Sequence, residues 1–160
     1  VGVDERFRRR GVGTRLFEQC ERVLAADACA ADEPLPFVVW ESHRPAPGDG
    51  AAAWKLWDAR VNLFSRAGGL WASGVDLLTT NYADENGPPV PLQLFVKPVD
   101  DPTSAFDAPR LRHIAGGLLE RIYRIAPGDP LFDGTLTPDC HPRLRPTLDA
   151  ARKKAVAAAV

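Results

Sequence analysis

The first residues whose types and spacing could do chemistry form a glycine-rich turn with positive charge. The turn consists of Arg8, Arg9, Arg10, Gly11, Val12, Gly13 and Thr14. Glycines at alternate positions remove side chains, so consecutive backbone N–H groups can approach an anion. A helical pattern follows the turn, and the N-terminus of a helix adds partial positive charge. The spacing therefore predicts a site for a phosphate or pyrophosphate group.

Two common nucleotide-binding patterns do not fit this turn. The dinucleotide fingerprint GxGxxG would require a third glycine at the position of Leu16. A P-loop would require a GK[ST] sequence, which the turn lacks. The three arginines alone would favour a solvated loop, but the adjacent glycines favour an anion site.

The elements around the turn predict how it is positioned. Residues 1–3 have the character of a strand end, and residues 14–26 that of an amphipathic helix. The apolar residues of this helix recur at spacings of three and four: Leu16, Phe17, Cys20, Val23 and Leu24. We expect this face, with the Cys20 thiol, to be buried.

The rest of the sequence predicts a mixed α/β (α+β) fold, with a mostly antiparallel sheet flanked by helices. We expect strands at 37–41, 70–82 and 90–99, helices at 51–66 and 108–123, an irregular proline-rich segment at 126–146, and a short helix within 147–160. The strands at 70–82 and 90–99 should pair as an antiparallel hairpin. Gly68 and Gly69 should end the second helix, because glycine adopts the left-handed conformation.

The turn resembles motif A of the GNAT N-acetyltransferases, in which glutamine or arginine precedes glycine by three positions and a second glycine or alanine by five. Arg8, Gly11 and Gly13 match this motif. Residues 62–69 resemble the family's helix end, where an aromatic residue lies four positions before a glycine. The resemblance covers residues 1–99 and implies that the N-terminal part of such a domain is missing. Residues 100–125 would then be an additional helix and 126–160 a tail.

The resemblance implies transfer of an acetyl group from acetyl-CoA to a primary amine of a small molecule or peptide, without a metal. In this family acetyl-CoA lies between two central strands, here residues 1–3 and 37–41. The backbone of Val1, Gly2 and Val3 would hold the acetyl and pantetheine groups, with an N–H polarising the thioester carbonyl. Residues 8–14 would hold the pyrophosphate.

Catalysis by direct attack needs a base for the amine and benefits from an acid for the departing thiolate. Glu41, at the end of the second central strand, is the candidate base, although a carboxylate at a strand end is more often only solvated. The family's acidic tyrosine corresponds to Phe64 and its asparagine to Trp57, so Tyr82 is the candidate substitute acid. These departures leave open a catalytically inactive CoA-binding or regulatory module, or a structural part of an assembly.

Composition narrows the function classes. The 160 residues include 45% hydrophobic residues, enough for one domain, and the net charge of −1 argues against a general nucleic-acid binder. Three cysteines without CxxC spacing indicate neither a disulfide framework nor a zinc site.

No apolar run approaches a membrane span, so we expect a cytoplasmic protein. The missing N-terminal part would expose a sheet edge and face, so we expect a homodimer or a partner that covers them.

Overall fold

The computed structural model describes residues 5–7, 10–84 and 86–152. It has a mixed α+β fold in which helices flank a four-stranded antiparallel sheet, as the sequence predicts. The described helices are α1 (Val12–Ala30), α2 (Ala51–Arg66), α3 (Ala108–Leu118), α4 (Pro130–Thr135) and α5 (Leu148–Arg152). The strands are β1 (Phe37–His43), β2 (Leu70–Thr79), β3 (Val90–Pro98) and β4 (Arg143–Pro146), in the order β1-β3-β2-β4.

The sheet separates two hydrophobic clusters because successive side chains of a strand point to opposite faces. On one face, Leu94 and Val96 of β3 pack with α3 and with Val39 of β1. On the other face, Phe95 packs with α2 and with Trp40 of β1. The predicted hairpin of β2 and β3 is confirmed and forms the centre of the sheet.

Helix α2 ends as its sequence predicts. Gly68 has φ 84° in the left-handed region, and the N–H of Gly69 donates a 3.0 Å hydrogen bond to the carbonyl of Phe64. Gly69 also allows a close approach, since a Cβ added there would lie 2.5 Å from the Trp40 ring. The end of α2 therefore packs against Trp40 of β1 at a position that has no room for a side chain.

Helix α1 differs from the prediction of a fully buried apolar face. Phe17 contacts the sheet, with its ring centroid 5.2 Å from that of Trp40. However, Cys20, Val23 and Leu24 are exposed, so the predicted burial of these residues is wrong. Periodicity in a sequence identifies the apolar face of a helix but not the element that covers it. In the described part of the chain, no element covers this side of α1.

The proline-rich segment at 126–146 is not irregular, contrary to the prediction. It contains α4 and β4, and β4 pairs with β2 from Leu70↔Pro146 to Ser73↔Arg143. A short edge strand tolerates proline because its outer N–H groups need no partner, so the composition concealed the strand. Cys140, in the preceding loop, belongs to the same core as α3, and the predicted short helix appears as α5.

Candidate functional site

The predicted anion site is described in part. Val1, Gly2, Val3, Arg8 and Arg9 lie outside the described residues, so their predicted roles stay predictions. The adjoining residues are described, and Gly11 has φ 73° and ψ 5° immediately before α1 begins at Val12. A Cβ on Gly11 would meet no atom within 4 Å, so glycine serves the left-handed backbone conformation there rather than a close contact.

The N-terminus of α1 has backbone N–H donors without a partner among the described residues. The first backbone bond of the helix runs from the Arg15 N–H to the Gly11 carbonyl, at 3.0 Å. The N–H groups of the preceding three residues therefore have no acceptor within the helix, and no side chain of the described residues caps them. Arg10 lies two positions before α1 begins, and its guanidinium is 6.0 Å from the Phe7 ring centroid. Backbone donors at a helix N-terminus and an adjacent cationic residue suit an anion.

Gly13 has a packing role as well. A Cβ at Gly13 would lie 3.2 Å from a methyl group of Leu63 on α2. Alternate glycines in the turn therefore serve two purposes, one conformational and one that lets α1 approach α2. The exposed turn residue Arg10 also contributes its carbonyl, which accepts a 3.2 Å hydrogen bond from the Arg15 guanidinium.

Glu41, the predicted base, has a defined partner in Tyr123. The Tyr123 hydroxyl donates a 2.9 Å hydrogen bond to Oε1 of Glu41, and both side chains are half-buried. Sequence reasoning missed Tyr123 because it lies 82 positions from Glu41, and no spacing relates residues so far apart. The sequence offers one signal for Tyr123: it is one of two tyrosines in the chain, and a proton donor was expected to be a tyrosine.

A local irregularity of the backbone positions Tyr123. After Leu118, α3 widens into a π-helical turn, Leu119–Tyr123, of the kind that often occurs at functional sites. Arg124 then takes the left-handed conformation with φ 60°, and the N–H of Ile125 donates a 2.9 Å hydrogen bond to the carbonyl of Leu119. This ending holds Tyr123 against the last residues of β1.

The surroundings of Tyr123 keep its phenol protonated. Burial raises the pKa of Tyr123 well above its ordinary value of 10.0, and the hydrogen bond and negative charge of Glu41 raise this pKa further. Tyr82 makes a smaller contribution in the same direction. At neutral pH Tyr123 is therefore a neutral phenol that donates a hydrogen bond to Oε1 of Glu41, and the second carboxyl oxygen of Glu41 can accept a proton or bind an ammonium group.

Tyr82, the predicted acid, lies near this pair but not in the predicted strand. Strand β2 ends at Thr79, so Tyr82 belongs to the following turn, where it is 73% exposed. Strand β2 ends at Thr79 opposite Val90, and β1 ends at His43 opposite Leu92, so Tyr82 follows β2 at the end of the sheet where β1 also ends. The structure thus brings Glu41, Tyr82 and Tyr123 to the same region.

The two parts of the predicted site lie on opposite faces of β1. The Trp40 side chain points toward α1, whereas the neighbouring Glu41 points toward Tyr123. Strand β1 pairs with β3 along one edge, and the described residues place no strand along its other edge. A molecule that contacts both α1 and Glu41 would therefore have to reach both faces of β1.

The positions that match the family's polar residues belong to the core. Phe64 is 7% exposed, and its ring lies 4.9 Å from that of Phe95. Trp57 is fully buried, and its indole N–H has no hydrogen-bond partner among the described residues. Neither residue can donate a proton to a ligand, and this leaves Tyr123 and Tyr82 as the phenols of the site.

Among the described residues, no group of three or more His, Cys, Asp or Glu side chains could hold a metal ion. None of the helices in the described ranges is long and apolar enough to cross a membrane.

In comparisons with known proteins, no family model matches the chain, and no curated protein or solved structure matches it either.

Proposed function

We propose that the protein is an N-acetyltransferase that transfers the acetyl group of acetyl-CoA to a primary amine. One observation carries the proposal: α1, whose N-terminus has no side-chain cap among the described residues, and the Glu41–Tyr123 pair lie on opposite faces of β1, at the neighbouring positions Trp40 and Glu41. The first can bind a pyrophosphate, and the second can handle a proton. The glycine turn that resembles motif A gives the anion its identity as CoA.

The reaction assigns a step to each group. The amine enters as an ammonium ion and gives a proton to the carboxylate of Glu41. The neutral nitrogen attacks the thioester carbonyl carbon, the C–N bond forms, and the C–S bond breaks. The departing thiolate takes a proton from the phenol of Tyr123 or from water, and the second proton of the attacking nitrogen passes to the phenolate or hydroxide that this leaves. Tyr123 also holds the Glu41 carboxylate in place through its 2.9 Å hydrogen bond.

Calorimetric titration with acetyl-CoA tests the cofactor site. We expect a dissociation constant on the order of micromolar for the unaltered protein, and a loss of at least about tenfold in Gly11→Glu, whose charge would oppose the pyrophosphate. Gly11→Ala separates strain from charge, because it meets the same left-handed backbone but adds no charge. Gly48→Glu is the matched control, since Gly48 lies in an open loop.

The proposal fails if folded, unaltered protein gives no heat with acetyl-CoA, or if Gly48→Glu weakens binding as much as Gly11→Glu. Free-thiol release with a panel of primary amines then tests turnover. We expect Glu41→Gln to lower this release by about 100-fold, the contribution typical of a general base.

A CoA-binding module without turnover is the second candidate. The observation that favours it is the burial of Phe64 and Trp57, which fill the positions of the family's proton donor and asparagine with core side chains. Binding of acetyl-CoA without thiol release for any amine would support this alternative.

A further inference from the structure

An open, largely apolar groove of about 560 Å³ is lined by residues that neighbour Glu41 and Tyr123 in the chain. It lies between β1 on one side and α3, the π-helical turn and α4 on the other. The apolar lining includes Phe37, Val39, Ile114, Leu118, Phe132 and Leu136. Most of these side chains are only partly buried at the edge of the core, so apolar surface remains open to a ligand.

On both sides of the groove, the chain leads from lining residues to a member of the polar pair. Val39 lines the groove, and Glu41 follows two positions later on the same face of β1, about 7 Å further along the strand. On the other side, Arg121 and Ile122 line the groove and lead directly to Tyr123. A ligand lying in the groove would therefore present one end to the Glu41 carboxylate.

We propose that this groove binds the hydrocarbon part of a small primary amine, with its ammonium group at Glu41. That such an amine is the acetyl acceptor rests on the proposed function, whereas its binding does not. The volume is in the range of small-molecule sites, which are mostly apolar with a few polar groups that fix orientation. The amine class follows from charge, because the polar side chain that follows the groove along β1 is the carboxylate of Glu41, whose hydrogen-bond partner is a neutral phenol.

The cations of the groove do not compete with this assignment. The Arg112 guanidinium donates hydrogen bonds of 2.8–3.0 Å to the carbonyls of Leu136, Thr137 and Cys140, so it is committed to the backbone. Arg121 is exposed and adjacent in sequence to the exposed Glu120, which also lines the groove. The walls therefore carry both signs of charge, and the Glu41 end carries a negative charge.

Gly117 provides a way to block the groove without disturbing the core. It lies in α3 and lines the groove, and a Cβ added there meets no atom within 4 Å. Gly117→Leu would place a side chain in the open space and also improve helix propensity by up to about 1 kcal/mol. Ala59→Leu adds a leucine at an exposed position of α2, away from the groove, and is the matched control.

The test is calorimetric titration of the protein with butylamine, hexylamine and octylamine, and with octan-1-ol and octanoate. We expect affinity to rise about twofold to fourfold per methylene, because each buried methylene contributes up to about 0.8 kcal/mol. We expect octylamine to bind more tightly than octanol, and octanoate most weakly. Gly117→Leu should weaken octylamine binding by about tenfold or more, and Ala59→Leu should leave it unchanged.

Glu41→Gln should remove most of the preference for octylamine over octanol while leaving octanol binding unchanged. Tighter binding of octanoate than of octylamine, or amine affinity that does not depend on chain length, would overturn the proposal. Acetyl-CoA is titrated into the same variants. If it binds but the amines do not, the groove assignment fails alone; if the amines bind as expected but acetyl-CoA does not, the acetyltransferase proposal fails and the amine site stands.

Discussion

The hydroxyl of Tyr123 donates a 2.9 Å hydrogen bond to the carboxylate of Glu41, across 82 positions of sequence. It joins the end of the π-helical turn to the end of β1, on the sheet face that also carries the apolar groove. The bond fixes the carboxylate between an apolar surface and solvent. Glu41 thereby becomes more than a solvated residue at a strand end.

The ionisation of Tyr123 should show this environment directly. In a Tyr82→Phe variant Tyr123 is the sole tyrosine, and burial and Glu41 still raise its pKa. We therefore expect little phenolate ultraviolet absorbance at pH 10.0, where an ordinary tyrosine is half ionised. Adding Glu41→Gln should shift the titration to lower pH. Half-ionisation of Tyr123 at its ordinary pKa would contradict the buried hydrogen bond.

The same shift predicts how stability depends on pH. Because the pKa of Tyr123 is raised in the folded state, its contribution is fully present below the unfolded value of 10.0 and is lost as pH rises through the folded pKa. In urea unfolding of Tyr82→Phe, we expect stability to fall above about pH 10. Tyr123→Phe in that background should reduce the slope, and an unchanged slope would show that other groups cause the fall.

How far the sequence predicts this structure depends on whether a feature is local. The bounds of α2 and its end at Gly68 follow from short-range patterns, and both are confirmed. The exposed side of α1 was mispredicted because burial depends on what packs against a helix. Strand β4 was missed because a four-residue edge strand containing Pro146 has almost no pattern of its own.

The residues of the candidate site also differ in whether the sequence predicts them. Glu41 and the glycine turn are predicted, since each is recognised from a few neighbouring residues. It does not select Tyr123, whose relation to Glu41 exists only after α3 has packed on the sheet and its last turn has widened. The groove is likewise invisible to the sequence, because β1, α3 and α4 form it together.

Arg112 should matter for stability more than other arginines do. It links α3 to the loop before β4 through hydrogen bonds to three backbone carbonyls. We expect Arg112→Met to lower the free energy of unfolding by about 2–3 kcal/mol, because charged hydrogen bonds are lost and carbonyls are left unpaired. Urea denaturation measures this loss. The control Arg66→Met, at an exposed position of α2, should change stability by about 0.5 kcal/mol or less.

Gly69 should not tolerate a side chain. An added Cβ would lie 2.5 Å from the Trp40 ring and 3.1 Å from the Phe64 carbonyl, so Gly69→Ala must displace a ring in the core. We expect a loss of about 1–3 kcal/mol in urea unfolding, the usual cost of overpacking. Gly48→Ala, which meets no atom within 4 Å, is the control and should change stability by about 0.5 kcal/mol or less. Equal stability of the two variants would mean that Trp40 does not lie over Gly69.

Cysteine labelling should test the exposed side of α1. Cys20 and Cys29 are exposed, whereas Cys140 is buried and its thiol donates a 3.3 Å hydrogen bond to the Gly74 carbonyl. Burial also raises the pKa of Cys140, which lowers the fraction of reactive thiolate. With N-ethylmaleimide and mass spectrometry, we therefore expect rapid modification of Cys20 and Cys29 in the native protein, and of Cys140 only after unfolding in urea.

The labelling rate of Cys20 also reports on a partner at α1. Cys20 lies beside the exposed Val23 and Leu24, and a covering chain would protect all three. If two copies associate through this side of α1, the labelling rate of Cys20 should fall as the protein concentration rises. The labelling rate of an exposed cysteine outside the contact should not change. Val23→Glu should then restore the rate, since a charge in an apolar contact opposes association. A rate independent of concentration would contradict association through this side of α1.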